Sequence, residues 1–129
     1  MYKIENLGGN AFYIKIMGRI PLQAAEGFSK KFLKEIEGMN NVRVIIDLLD
    51  SNLVKIASLD TIIELMNITE ERLGRSAFCV PHNPPLREEL KYVLEKAQSP
   101  KRKIVYSLEE AKQWTGISEI IIKKEKNID

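Results

Sequence analysis

A chain of 129 residues suits one domain with one core, and 44% apolar with 29% charged residues is ordinary for a globular protein. The formal net charge of +2, from 20 basic and 18 acidic side chains, is too slight to argue for nucleic acid or an anionic lipid surface as partner. The single cysteine, Cys79, excludes an intrachain disulfide and a multi-cysteine metal site.

The opening "MYKIENLGGN" has no apolar h-region, and no apolar run reaches the roughly 18 residues of a membrane helix. A cytoplasmic protein with no membrane insertion is the expectation. No repeat, low-complexity stretch or interdomain linker stands out, so 1–129 is read as one domain.

In chain order, "MYKIEN" is a weak strand and "LGGN" a turn. In "NAFYIKIMGRI", Phe12, Ile14 and Ile16 alternate with Tyr13, Lys15 and Met17, the period of a strand with one face on a core. The two strands can form a hairpin. Pro21 suits a helix start, and Ala25, Phe28, Phe32 and Ile36 recur every three or four positions. Gly38 ends that helix. "VRVIIDLLD" is short and nearly all apolar, as a central strand covered on both faces is.

"SNLVKIA" is a connection. Ser58 is expected to cap a helix from Leu59 to about Leu73, stopped by Gly74. "RSAFCVP" is a third buried-type strand. In "HNPPLREELKYVLEKAQ", Asn83 caps a helix whose first turn holds two prolines. "KRKIVYS" is a strand, and Ser107 with Glu110 makes a capping box for a short helix ending near Gly116. The segment "EIIIK" in the last residues favours one more strand. The order is β-β-α-β-α-β-α-β-α with a further β in 117–129. Alternating elements imply parallel neighbours and right-handed crossovers, and the hairpin adds an antiparallel edge. The fold class is α/β, with a mixed, mostly parallel sheet of four to five strands and about four helices.

Four features, covering roughly 1–116, carry a resemblance. They are "FYIKIMGRI" ending in a glycine before the first helix, "VRVIIDL" with its aspartate-leucine pair, the loop and helix near Ser58, and the close "YSLEEAKQWTG". Their order resembles the STAS fold of anti-sigma-factor antagonists and the wider SpoIIAA-like group. The resemblance implies a non-enzymatic regulatory module that binds a protein partner. In phosphorylated STAS proteins the loop before the second helix reads aspartate, serine, a small residue, glycine, and a kinase modifies the serine. Here "IASLDT" aligns Ser58 with that serine, but Ala57 replaces the aspartate and Asp60 the glycine. The phosphoacceptor loop is degenerate.

The residues themselves leave alternatives. Asp47 and Asp50 lie at the carboxyl end of a central strand, where open α/β sheets bind ligands. They would hold Mg²⁺, or Asp47 would cap loop amides while Asp50 and Ser51 make a turn. The sequence lacks the nucleophile-and-lysine set of a phospho-aspartyl site around them. Ser58 is a phosphate position or a plain cap. Cys79 reads as a packing thiol and His82 as a surface residue. Trp114 closes the last helix or anchors an interface.

Partner contact is therefore expected at Asp47, Asp50, Ser51, Leu53, Ile56 and Ser58, with no cofactor. A carrier of a small lipid or nucleotide is the alternative. It requires a pocket of roughly 300 Å³ or more between sheet and helices. A homodimer through an open sheet edge and "EIIIK" is a further expectation.

Overall fold

The computed structural model describes residues 2–19, 21–51, 56–97 and 99–120. Among the described residues nine elements follow in the expected order: β1 (Tyr2–Gly8), β2 (Ala11–Gly18), α1 (Leu22–Glu35), β3 (Val42–Ser51), α2 (Ile56–Thr69), β4 (Leu73–Cys79), α3 (Pro84–Ala97), β5 (Arg102–Val105) and α4 (Leu108–Thr115). The five strands form one sheet in the order β1-β2-β3-β4-β5. Only β1/β2 is antiparallel; the other three pairs are parallel. Gly8 and Gly9, at φ 108° and 55°, make the hairpin turn that L side chains resist. The mixed α/β fold read from the sequence is the fold observed.

Strand alternation splits the interior into two unequal halves. Phe12, Ile14, Ile16, Val44, Leu48 and Phe78 point to one face, where α1, α2 and α3 lay down Phe28, Phe32, Leu59, Leu65, Leu86 and Val93. There Phe12 meets Phe32 edge-on at 5.9 Å, and Phe28 stacks on Phe32 at 6.0 Å. The other face carries Ala11, Tyr13, Ile45, Ala77, Cys79 and Val105, packed with Ala111 and Ile117. The eight-residue α4 lies on β3, β4 and β5.

One charged group enters the larger core. Arg102 is buried, pairs with Glu70 at 2.7 Å and donates to the Met66 carbonyl. Lys101 donates to the carbonyls of Glu70 and Leu73. Together they hold the end of α2 against the sheet.

Two expected boundaries move. The second helix runs Ile56–Thr69, not Leu59 to Leu73, and Leu73 and Gly74 belong to β4. The pairing of β3 with β4 advances from Val42↔Leu73 to Val44↔Ser76, so β4 carries one extra residue there. A Cβ at Gly74 would collide with the Asn41 side chain. Gly74 is therefore a close-approach position in a bulged strand rather than a helix stop. β3 also continues through Ser51, so Asp50 and Ser51 lie in the strand and not in a turn.

The capping calls on the last two helices agree with the structure. The Leu86 amide donates to Asn83 Oδ1, and the Glu110 amide to Ser107 Oγ at 3.1 Å. Of "EIIIK", Glu119 and Ile120 are not in a strand, and 121–123 lie outside the described residues. Among the described residues, no helix is long and apolar enough to cross a membrane.

Candidate functional site

The carboxyl edge of the sheet is built around Asp47. Tyr13, Lys15, Ile45 and Asp47 alternate onto the α4 side because β2 and β3 run parallel in register, Tyr13 opposite Ile45 and Lys15 opposite Asp47. Asp47 is 2% exposed. A buried carboxylate needs donors, and among the described residues it has three. The Tyr13 hydroxyl donates to Oδ2 at 2.5 Å, Lys15 Nζ stands 3.3 Å from the same oxygen, and the Leu49 amide donates to Oδ1 at 3.0 Å.

The third bond explains the shape of the edge. Pairing advances from Lys15↔Asp47 to Met17↔Asp50, so β3 carries one extra residue beyond Asp47. The Leu49 amide, turned out of the ladder there, is taken up by Asp47. Past the bulge, Asp50 reaches solvent with its side chain 68% exposed and pairs with Lys15 at 2.9 Å. Ser51 turns inward, and its hydroxyl donates to the Gly18 carbonyl at 3.2 Å. Lys15 thus bridges a buried and an exposed carboxylate.

The electrostatics follow from this geometry. Burial pushes the Tyr13 phenol well above its usual 10.0, and its bond to the Asp47 carboxylate pushes the same way. Burial alone would lower Lys15, but the Asp50 and Asp47 carboxylates outweigh it, and the ammonium is held above 10.5. Cys79 is fully buried, and burial, then Asp47, push its thiol up to about 12. A thiol so held is not a nucleophile at neutral pH.

Of the six expected contact residues, Asp47 is the buried hub, Asp50 the exposed end and Ser51 a buried tie. Leu53 and the Ile56 side chain lie outside the described residues. Ser58 does not cap α2. The helix begins two residues earlier, and Ser58 sits in its first turn at 0% exposure. Asp47 does take up a backbone amide, but it is that of Leu49 inside β3 and not one in the loop beyond the strand.

Tyr13 and Lys15 were missed. Their signal was available: two polar-tipped residues at i, i+2 on the strand beside the "IID" strand. Among the described residues, no three His, Cys, Asp or Glu side chains are gathered to hold a metal. His82 stacks on Tyr106 at 6.0 Å beside a small pocket of about 140 Å³. Trp114 donates its indole N–H to the carbonyls of Ser76 and Lys101, with Arg75 4.2 Å over its ring, so it closes α4 onto the sheet.

No family model matches the sequence, and no curated protein matches it. Solved structures do. The anti-sigma factor antagonist SpoIIAA in its unphosphorylated form is similar over 92% of this chain and 100% of its own, at 16% identity and a TM-score of 0.70. An uncharacterized protein of the DUF3478 family with a SpoIIAA-like fold, from Shewanella loihica PV-4, is similar over 89% of this chain and 92% of its own. That pair has 14% identity and a TM-score of 0.68. The protein TM1081 is similar over 91% and 88%, at 19% identity and a TM-score of 0.64. The likeness runs nearly end to end in all three, and the chain has the SpoIIAA-like fold.

Proposed function

We propose that this chain is a regulatory module that binds a protein partner at the carboxyl edge of its sheet, through Asp50, the segment up to Ser58 and the outer face of α2. The observation that carries this reading is the state of Asp47. Its oxygens are taken up by Tyr13, Lys15 and Leu49, so it serves geometry, and what the edge offers outward is Asp50 and a helix face. SpoIIAA, which shares the fold, is an anti-sigma factor antagonist, a protein that acts through another protein. A lone buried thiol suits a reducing, cytoplasmic setting.

The carrier alternative needs roughly 300 Å³ between sheet and helices. The apolar cavity there, beneath α1, α2 and α3, holds about 60 Å³. That favours the protein-binding reading. Ser58 is buried in the first turn of α2, so modification there would require that turn to lift.

Photo-cross-linking in the native cell tests the reading. A photoreactive residue at position 50 is expected to give a discrete protein adduct, and one at Glu109 on α4 none. Identical patterns at both positions, or no adduct at 50, would refute it.

A further inference from the structure

The sheet ends sideways on two strands, β1 and β5. An edge strand presents unpaired amides and carbonyls, and proteins guard such edges by making them short, basic or bulged. β5 is guarded: it has four residues, with Lys101, Arg102 and Lys103 in or beside it. β1 has seven residues, and no described strand pairs with its outer side. Its register with β2 is unbroken from Tyr2 to Asn6, and the ladder becomes irregular only between Asn6 and Gly8. The regular part of this open edge is therefore centred on Ile4.

Its side chains sort by face. Tyr2 meets Phe28 of α1 edge-on at 5.6 Å, and Ile4 is packed on the larger core but only partly buried. Lys3 and Glu5 lie on the other face, opposite Lys15 and Tyr13 of β2. Lys3 thus faces a like charge, and Lys15 already holds Asp47 and Asp50. Among the described residues, neither Lys3 nor Glu5 forms an ion pair. On the α1 side, the Cβ position of Gly27 lies 3.6 Å from the Tyr2 hydroxyl, and the same helix face continues to Lys31 and Glu35. Both faces of this edge therefore carry one charge of each sign, and no net charge holds a second copy away.

We infer that two copies of this chain pair β1 to β1, antiparallel, about a two-fold axis at Ile4. An axis at Lys3 would set Lys3 on Lys3. An axis at Glu5 would set Glu5 on Glu5 and draw in the irregular end of the strand. The axis at Ile4 uses the whole regular stretch and sets Lys3 against Glu5 of the partner subunit, twice. On the other face it sets Ile4 against Ile4 of the partner subunit. Opposite charges across facing strands are favourable and like charges are not, so charge and strand length select the same register. The two five-stranded sheets become one. Asp50 lies on β3, two strands in, so the contact leaves the carboxyl edge free and does not depend on the protein-binding reading.

Sedimentation equilibrium of the full chain at rising concentration tests this, with a reversible dimer expected. Each single charge reversal affects both symmetric pairs, so Lys3→Glu and Glu5→Lys should each weaken the dimer about tenfold. The two changes in one chain should restore it to within about threefold of the wild type. Lys103→Glu, on the β5 edge, should leave it unchanged. Circular dichroism checks that each variant keeps the fold.

The register is read by disulfide formation, Cys79 being buried. Chains with Lys3→Cys, mixed with chains with Glu5→Cys, are expected to cross-link under mild oxidation, because facing Cα atoms stand about 5 Å apart. Chains with Lys3→Cys alone are not, since the two cysteines then lie on a diagonal of roughly 7–8 Å. A monomer at every concentration up to about 1 mM overturns the proposal. So does a dimer indifferent to the single reversals, a double reversal no tighter than either single one, or a dimer lost on Lys103→Glu. Lys3→Cys chains that cross-link to one another as readily as to Glu5→Cys chains overturn it as well.

Discussion

The two faces of the sheet are held in different ways. Under α1, α2 and α3 the contacts are apolar and interlocking, with Phe12, Phe28 and Phe32 as the heaviest pieces. Under α4 the layer is short, and at the carboxyl edge it contains Tyr13, Asp47, Lys15 and Cys79. Hydrophobic burial is non-directional, so the first face supplies stability without fixing any one atom. Hydrogen bonds to a buried carboxylate are directional, so the second face fixes where β3 bulges and where Asp50 and Ser51 point.

Substitutions should separate these roles. The largest loss is expected at Phe32→Ala, about 4 kcal/mol of unfolding free energy by urea titration, with hydrogen exchange raised throughout. A loss under about 1 kcal/mol would mean that the first face does not dominate stability. Asp47→Ala should cost about 3 kcal/mol, because it leaves the buried Tyr13 phenol and the Leu49 amide without their acceptor, while Lys15 keeps Asp50. Tyr13→Phe should cost about 1 kcal/mol. In a double-mutant cycle its effect should vanish in the Asp47→Ala background; additive losses would show that the two side chains are not coupled.

On the alkaline side the pH response comes from the second face. Cys79 is raised from 9.0 to about 12, Tyr13 above 10.0 and Lys15 above 10.5. Each fold-stabilised form is the protonated one. Its contribution is complete below the unfolded pKa and is lost as pH rises toward the folded one. The melting temperature should fall from pH 9 upward, and Cys79→Ala should flatten the first part of that fall. An unchanged slope would remove the thiol from the account. The smallest effect is expected at Asp50→Ala, within about 0.5 kcal/mol, since an exposed pair contributes little.

Much of this division was legible in the sequence. The alternation in Ala11–Gly18 and the nearly continuous apolar run of Val42–Leu49 identify the strands, and Asn83 and Ser107 with Glu110 identify two helix starts. What failed was local. A glycine after an apolar helix reads as a stop, yet Gly74 answers to Asn41, a neighbour 33 positions away that only the folded sheet brings near. Ser58 has the chemistry of a cap, but tertiary packing starts α2 at Ile56 and buries it.

The site was half legible. Asp47 and Asp50 stood out as acids at a strand end. Their different fates depend on one extra residue in β3 and on Lys15 across the ladder, which is a matter of register.

Site-resolved amide hydrogen exchange on Asp47→Asn against the wild type tests the central claim most directly. If Asp47 positions the carboxyl edge, exchange should quicken at Leu48–Ser51 and Ile56–Leu59 while β4, β5 and α4 keep their protection. A uniform rise across the sheet, or no change beyond Asp47, would contradict it.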